Sequence, residues 1–351
     1  MPRWCARSKA RRSTADVLGL AVPCYVRLMN AVADGYRRWA ALEAHGSSAQ
    51  YEAWALAVAA DGELCERISA LPREKRQPNL LFAAARVHGA SADTADFPHW
   101  LGQNWDAVCT TVLTRINQTN EPARCASLLM ALSQIPGPIA LLELGASAGL
   151  CLIPDRYRYR FLSDAGVHEL RPRNESRGVT LECSLMAVSS PTSLPHIVWR
   201  AGIDRSSVDL QDAEELLWFE SLVWPEHDER RVRLRDSLRL LAESPPRVVQ
   251  GDLLEYLPSI AAEAPSEATL VIMHSAVFAY LDEQQRQLAQ TLIDRTGARH
   301  VSLEGASVMT SVLPRLPSGV LDDPRFVLAL DGVPMGMAAP HGGSYEALPL
   351  S

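Results

Sequence analysis

The sequence predicts an α/β protein: a mostly parallel sheet with helices on both faces, preceded by a layer of helices. Three observations carry that expectation. Between about residues 15 and 135, apolar side chains recur every three or four positions, the period of an amphipathic helix. From "PGPIALLELG" onward, short apolar runs alternate with helical stretches, the pattern of strand–helix–strand units. The first of those runs ends in a loop of small residues, Gly145 to Gly149, and leads into a helix-like segment.

The elements follow in order. Residues 1–14 hold five basic side chains and no acid, and read as a disordered tail. The apolar run "VLGLAV" after it is too short for a signal-peptide core. A helical region at 15–135 contains "VRLMNAVADGYRRWAALE", "YEAWALAVAADGELCERISAL", "LLFAAARVHG" and "WDAVCTTVLTRINQ", separated by breakers such as "HGSS" and "PREKRQPN". The tryptophans at 39, 54, 100, 105, 218 and 224 fall in helical stretches and are read as core. A second domain spans 136–351. Its strands are expected in "IALLEL", "HIVWRAGID", "RVVQGD", "ATLVIMHS" and "RHVSLEG", and "RFVLALDGVPMGMAAP" reads as a hairpin turning at Asp331-Gly332. Residues from about 154 to 195 interrupt the alternation as an inserted hairpin or lid. Within it, "RYRYRF" reads as a strand with one arginine face and one aromatic face.

Composition narrows the function. A net charge of −7 argues against a general nucleic-acid binder. Of 34 basic side chains only Lys9 and Lys75 are lysine, so arginine runs carry little weight as binding signals. Arg231, Arg235 and Arg239, at four-residue spacing, read as a solvated helix face. Seven cysteines without C-x-x-C spacing fit reduced thiols in a cytoplasmic protein. No histidine pair has H-x-x-x-H spacing, and no structural metal is expected. No run approaches the ~18 apolar residues of a membrane span.

The loop "LLELGASAGLCL" has two readings. Gly145, Ser147 and Gly149 spell the G-x-S-x-G of a serine hydrolase, with Glu304 or Asp331 and His341 as paper partners. Glu143, Gly145 and Gly149 instead spell an altered nucleotide-cofactor loop. The early position of the strand and the acid at its end favour the cofactor. In open α/β sheets ligands bind outside the carboxyl ends of the strands. Asp204 and Asp252 end the next two strands, where a carboxylate can accept from ribose hydroxyls and an adenine amine, or else cap a helix. His274 follows the fourth apolar strand and is a candidate general base.

"LLELGASAG", "AGIDRSS", "VVQGDLLEYLP" and "LVIMHSAVFAYL" resemble the successive motifs of class I S-adenosylmethionine-dependent methyltransferases. The resemblance implies a Rossmann-like sheet of seven strands with S-adenosylmethionine as cofactor. By matching position it implies that Glu143, Gly145 and Gly149 hold the methionine part, Asp204 the ribose and Asp252 the adenine. Ser147 stands in that cradle where the class has its middle glycine, and 59 positions separate Gly145 from Asp204. Over about residues 75 to 343 the chain also resembles the bacterial domain-of-unknown-function 2332 family, in "RQPNLLFAAARVHG", "LLELGASAGLCL", "DRYRYRF", "RAGID", "LVWPEHDERRVRL", "HSAVFAYL" and "PHGG". Cys151 stands where an asparagine is expected in that family.

The expected function is methyl transfer from S-adenosylmethionine to a small-molecule acceptor, with His274 at the substrate end. A catalytically silent nucleotide-binding module and a serine hydrolase using Ser147 remain as alternatives.

Overall fold

The computed structural model describes residues 31–349, apart from 93, 95, 119–120, 174–177, 207, 310 and 318. The basic tail, the apolar run after it, Cys5 and Cys24 lie outside the described residues. The chain divides into two compact units. The described part of the first runs from residue 31 to Asn117 and takes in Leu217–Asp228; the second holds Gln118–Leu216 and the chain from Glu229 on. Residues 118–135, read in the sequence with the helices, therefore belong with the sheet. Residues 217–228, read with the sheet, belong with the helices.

The first unit is helical. α1 (31–39) runs into a π-helical turn at Ala40–Ala44 and is followed by α2 (Ala49–Ala60), α3 (Gly62–Ser69), α4 (Pro78–Val87), α5 (Phe97–Gln103) and α6 (Trp105–Thr114). Ser48, Asp61 and Asp96 cap α2, α3 and α5, each accepting from a backbone N–H three residues on. α4 starts at proline, whose missing N–H is one that a first turn leaves unpaired anyway. Leu80 through Ala85 are all buried, so α4 is apolar all round, as a central helix must be. Phe82 sits among Tyr36, Trp39, Tyr51, Trp54 and Phe97, with ring centroids 5.1–6.1 Å away. Trp54 stacks on Phe97 at 3.9 Å. From the returning segment, Trp218 donates to the Ile116 carbonyl at 3.2 Å and Trp224 to Asn79 Oδ1 at 2.8 Å.

The second unit is a mixed α/β structure around one eleven-stranded sheet. In chain order it holds α7 (Arg124–Leu132), β1 (Pro138–Leu144), β2 (Arg158–Ser163), β3 (Gly166–Leu170), β4 (Thr180–Met186) and β5 (His196–Asp204). α8 (Ala213–Leu222) and α9 (Asp228–Ala242) lead out of the unit and back. β6 (Arg247–Gln250), α10 (Leu253–Ala261), β7 (Thr269–Ser275), α11 (Glu283–Thr296), β8 (Arg299–Gly305), β9 (Phe326–Leu330), β10 (Val333–Ala338) and β11 (Ser344–Ala347) complete it.

The strand order is β3-β2-β4-β11-β10-β9-β8-β7-β1-β5-β6. β6, β5, β1, β7 and β8 are mutually parallel. β1 lies among them with β5 on one side and β7 on the other, so the chain order reverses at the β1–β7 junction. Residues 139–144 of β1 are all buried, as expected of a parallel strand covered on both faces. β9 and β10 continue the sheet antiparallel to β8. Their turn is Asp331-Gly332, with φ of 52° and 72°, the two positive angles of a tight hairpin.

Residues 154–195 form no separate lid. They add strands to the far edge of the sheet, β4 pairing parallel with β11 and with β2, and β2 antiparallel with β3. Tyr157, Tyr159 and Phe161 point into the core while Arg160 is exposed, so "RYRYRF" alternates as a half-buried strand should. Among the described residues no helix is long and apolar enough to cross a membrane.

Candidate functional site

The site is built on the end of β1. Glu143 lies opposite Gly202 of β5 and Met273 of β7. The loop that follows is pinned to the end of β5. Gly145 N–H donates to the Ile203 carbonyl at 2.8 Å, and Ser147 N–H donates to Asp204 Oδ2 at 2.8 Å. Asp204 Oδ1 accepts from Ser206 N–H at 2.8 Å. Asp204 thus ties the loop after β1 to the loop after β5.

Glycine is required here for two reasons. Gly145 and Gly149 have φ of +72° and +87°, in the left-handed region. A Cβ on Gly145 would lie 2.5 Å from Val277 Cγ2, and one on Gly149 would lie 2.9 Å from Pro246 Cγ. Ser147 is also left-handed, at φ 51°, and its buried hydroxyl has no hydrogen-bond partner. A third glycine, Gly202 in "RAGID", allows the loop to lie on β5, since a Cβ there would stand 2.5 Å from Ala146 Cβ. Nothing local in the sequence marks its role, because the clash is with a residue 56 positions earlier.

The electrostatics of the β1 end are unusual. Glu143 is 4% exposed, and its Oε2 has no hydrogen-bond partner. Burial, and then the neighbouring Cys151 and Asp204, push its carboxyl well above the usual range, while the Arg124 guanidinium pulls the other way. Burial also raises Asp204, against the two backbone N–H groups that stabilise its charge.

The other sequence-derived residues lie at the same edge, His274 opposite Leu144 and Asp252 next to Gly251, whose N–H donates to the Asp204 carbonyl, but both are engaged by other partners. Asp252 is the N-cap of α10. It accepts from Leu254 N–H at 2.9 Å and pairs with Arg205 Nη2 at 2.6 Å, which holds its carboxyl low. The capping alternative describes what it does here. His274 is fully buried. Its Nδ1 lies 2.8 Å from Glu304 Oε1, its Nε2 lies 3.0 Å from His300 Nε2, and its ring stacks on Phe278 at 3.8 Å. Glu304 Oε1 also accepts from the N–H groups of Val277 and Phe278. Burial, and then His274 beside it, hold His300 neutral, down at about 3. His274, expected at the substrate end, stands opposite Leu144 at the end of β1 with its side chain inside the core. Both ring nitrogens are taken inside the core, and neither is presented to an acceptor.

The hydrolase partners do not assemble either. Ser147 Oγ has no hydrogen bond. Glu304 serves His274, and Asp331 binds His300 N–H and Arg299 at the amino end of β8. His341 Nδ1 lies 3.3 Å from Arg230 Nη2.

A cluster that the sequence did not reveal lies at the start of α7. The buried Glu121 carboxylate accepts from Ala123 N–H, Arg230 Nε and Arg233 Nε, at 3.1, 2.9 and 3.2 Å. Arg230 and Arg233 of α9 thus turn to Glu121 beside the buried Leu234, Leu238 and Leu241, whereas Arg235 and Arg239 are exposed. Cys125 Sγ is 3.8 Å from the Leu150 carbonyl and Cys151 Sγ is 3.8 Å from the Glu121 carbonyl, so residues 121–125 pack against the turn after Gly149. Among the described residues no three His, Cys, Asp or Glu side chains gather as a metal ion would need.

Fold and site together define an α/β protein whose central parallel strand delivers a strained small-residue loop and buried acids to the carboxyl edge of its sheet. The chain belongs to a bacterial family described as an uncharacterized protein conserved in bacteria (DUF2332), whose model matches residues 33–344. No curated protein and no solved structure matches it.

Proposed function

We propose that the carboxyl edge of the parallel strands binds S-adenosylmethionine, and that the protein transfers its methyl group to a small-molecule acceptor. One observation carries this reading. Glu143 is buried with Oε2 unpartnered, beside a loop whose glycines leave no room for side chains. A buried carboxyl without a partner is costly, and a ligand ammonium supplies both a donor and a charge. The fold supports it. The order β6-β5-β1-β7-β8 is the 3-2-1-4-5 order of a Rossmann-like sheet, in which ligands bind where the strand order reverses.

The residues fit the cofactor unevenly. Glu143 and the Gly145–Gly149 loop suit its amino-acid part. Asp204 holds the loop through one lone pair on each oxygen and keeps the others for ribose hydroxyls. Asp252 is already taken by Arg205 and the α10 N-terminus, and no adenine contact is assigned to it. When bound, the cofactor supplies an electrophilic methyl group on a sulfonium. The chain's own part is to bind and orient: Glu143 receives the ammonium, and Asp204 fixes the loop and the ribose. No general base is assigned, and the reaction relies on positioning. The buried His274 favours a second reading, a binding module that performs no transfer.

Calorimetry and thermal unfolding of the full chain with S-adenosylmethionine and S-adenosylhomocysteine test the proposal. Bound ligand at a hundredfold excess over Kd raises stability by about 2.7 kcal/mol. No heat and no shift at millimolar ligand overturns it.

A further inference from the structure

Arg124, the first residue of α7, is 5% exposed. Its surroundings hold one edge and one face of the guanidinium. Nε donates to the Pro340 carbonyl at 2.8 Å, and Cζ lies 5.6 Å from the centre of the Phe326 ring. The turn carrying Pro340 is seated against the start of α7, since a Cβ on Gly342 would lie 2.5 Å from the Ala123 carbonyl carbon. The two terminal nitrogens are different. Among the described residues they make no hydrogen bond, no carboxylate stands at ion-pair distance, and neither nitrogen is sealed from solvent. Glu121, three residues earlier, is occupied by Ala123 N–H and by Arg230 and Arg233. A nearly buried guanidinium with an open two-nitrogen fork is expensive to keep and is shaped for a carboxylate.

Arg124 stands at the same edge of the sheet as Glu143. Phe326 beneath it pairs with Gly305, the carboxyl end of β8. Its neighbour Cys125 touches Leu150, next to Gly149. The charge of Arg124 is felt at Glu143, although the two form no direct ion pair. Among the described residues, one edge therefore offers a buried acid with an unpartnered oxygen and a nearly buried cation whose two terminal nitrogens have no acceptor. A simple anion would serve Arg124 and leave Glu143 Oε2 as it is. A simple amine would serve Glu143 and leave Arg124 as it is. A group carrying both charges on one carbon answers both.

We propose that Arg124 and Glu143 form a subsite for an α-amino-acid zwitterion, Arg124 taking the carboxylate and Glu143 the ammonium. This rests on the reading above, in that the amino-acid end belongs to the S-adenosylmethionine-type ligand. It adds the residue that makes the site select for the carboxylate.

The test is calorimetric titration of the full chain with S-adenosylhomocysteine, its decarboxylated analogue and 5′-methylthioadenosine. S-adenosylhomocysteine is expected to bind about tenfold to a hundredfold more tightly than the decarboxylated analogue, the value of a charge-assisted hydrogen-bond pair. Arg124→Met should bring the two ligands to near equality, and Arg124→Lys should restore part of the gap. The ligand comparison on the unaltered chain stands whatever the variants do to folding. If the decarboxylated analogue or methylthioadenosine binds as tightly as S-adenosylhomocysteine, the zwitterion subsite is overturned and the nucleoside reading stands. If none of the three binds, the nucleoside reading falls and the subsite with it.

Discussion

The helical unit and the sheet unit bury polar groups in opposite ways. Among the described residues of the helical unit no charged side chain is buried; the buried Ser48 and Ser221 hydroxyls are used at once, one capping α2 and the other donating to the Trp218 carbonyl, while the buried Tyr36 hydroxyl has no partner. The rest of that core is aliphatic and aromatic, centred on Phe82. The sheet unit buries Glu121, Arg124, Glu143, His274, His300 and Glu304. Oε2 of both Glu143 and Glu304 lacks a partner. A core built only for stability satisfies such groups or excludes them. The contrast separates a unit whose interior serves packing from one whose interior holds ionisable groups that packing does not need.

Acid is expected to strike the sheet unit hardest. His300 is held neutral down to about 3, whereas the unfolded chain takes up the proton near 6.5. Between those values the unfolded state binds more protons, so stability falls as pH drops through that window, by up to about 1.4 kcal/mol per pH unit. The groups facing His300 are His274 across the shared hydrogen bond, and Asp331, which accepts its backbone N–H and pairs with Arg299. Denaturant titrations of the unaltered chain and of His300→Asn from pH 7 to 4 check this. Equal slopes in the two proteins would reject it.

Phe82→Ala should cost about 3–5 kcal/mol, the usual penalty for emptying an aromatic site in a close-packed core. It should do so with no change of slope between pH 7 and 4, because among the described residues no carboxyl or imidazole is buried around that ring, and burial pushes the neighbouring Tyr36 hydroxyl up, away from that range. A loss under about 1 kcal/mol would show that the aromatic cluster is not the centre of the helical unit.

The smallest expected change has the opposite sign. Glu143→Gln removes an acid whose folded form keeps a proton that the unfolded chain releases above about 4.5. The acid's stabilising contribution is complete below that value and is lost as pH rises through the raised folded value. Cys151 and Asp204 push in that direction and Arg124 opposes them. The variant should match the unaltered chain near pH 4 and exceed it in stability at pH 8. A variant less stable at pH 8 would mean that Glu143 holds the fold together rather than waiting for a ligand.

Much of the local structure was legible. The helical period before residue 117, the buried run of β1, the glycine loop and the Asp331-Gly332 turn were all read from neighbouring residues, because each follows from period, propensity or a positive φ within a few positions. Asp252 was open between ligand contact and helix cap. The structure decided for the cap through Leu254, two residues away, and through Arg205, 47 residues away. α7 falls in the unit of the sheet, a placement its sequence does not show, since an apolar helix shows its period but not the surface it covers.

What the sequence by itself determined is the kind of element at each place and the chemistry available at the end of β1. What only the tertiary structure decided is which groups meet. Asp204 reaches Ser147 across 57 residues, His274 meets Glu304 across 30, and Arg124 finds Pro340 across 216. The same holds for β4, which closes onto β11 from a segment read as an insertion. The reason is physical. Periodicity records which face of an element is buried, whereas the partner of a buried charge or of a strand edge is chosen by sheet register and packing between distant segments. That choice turned His274 inward to Glu304 and His300, and it left Arg124 and Glu143 at one edge of the sheet, each with atoms that no other described residue satisfies.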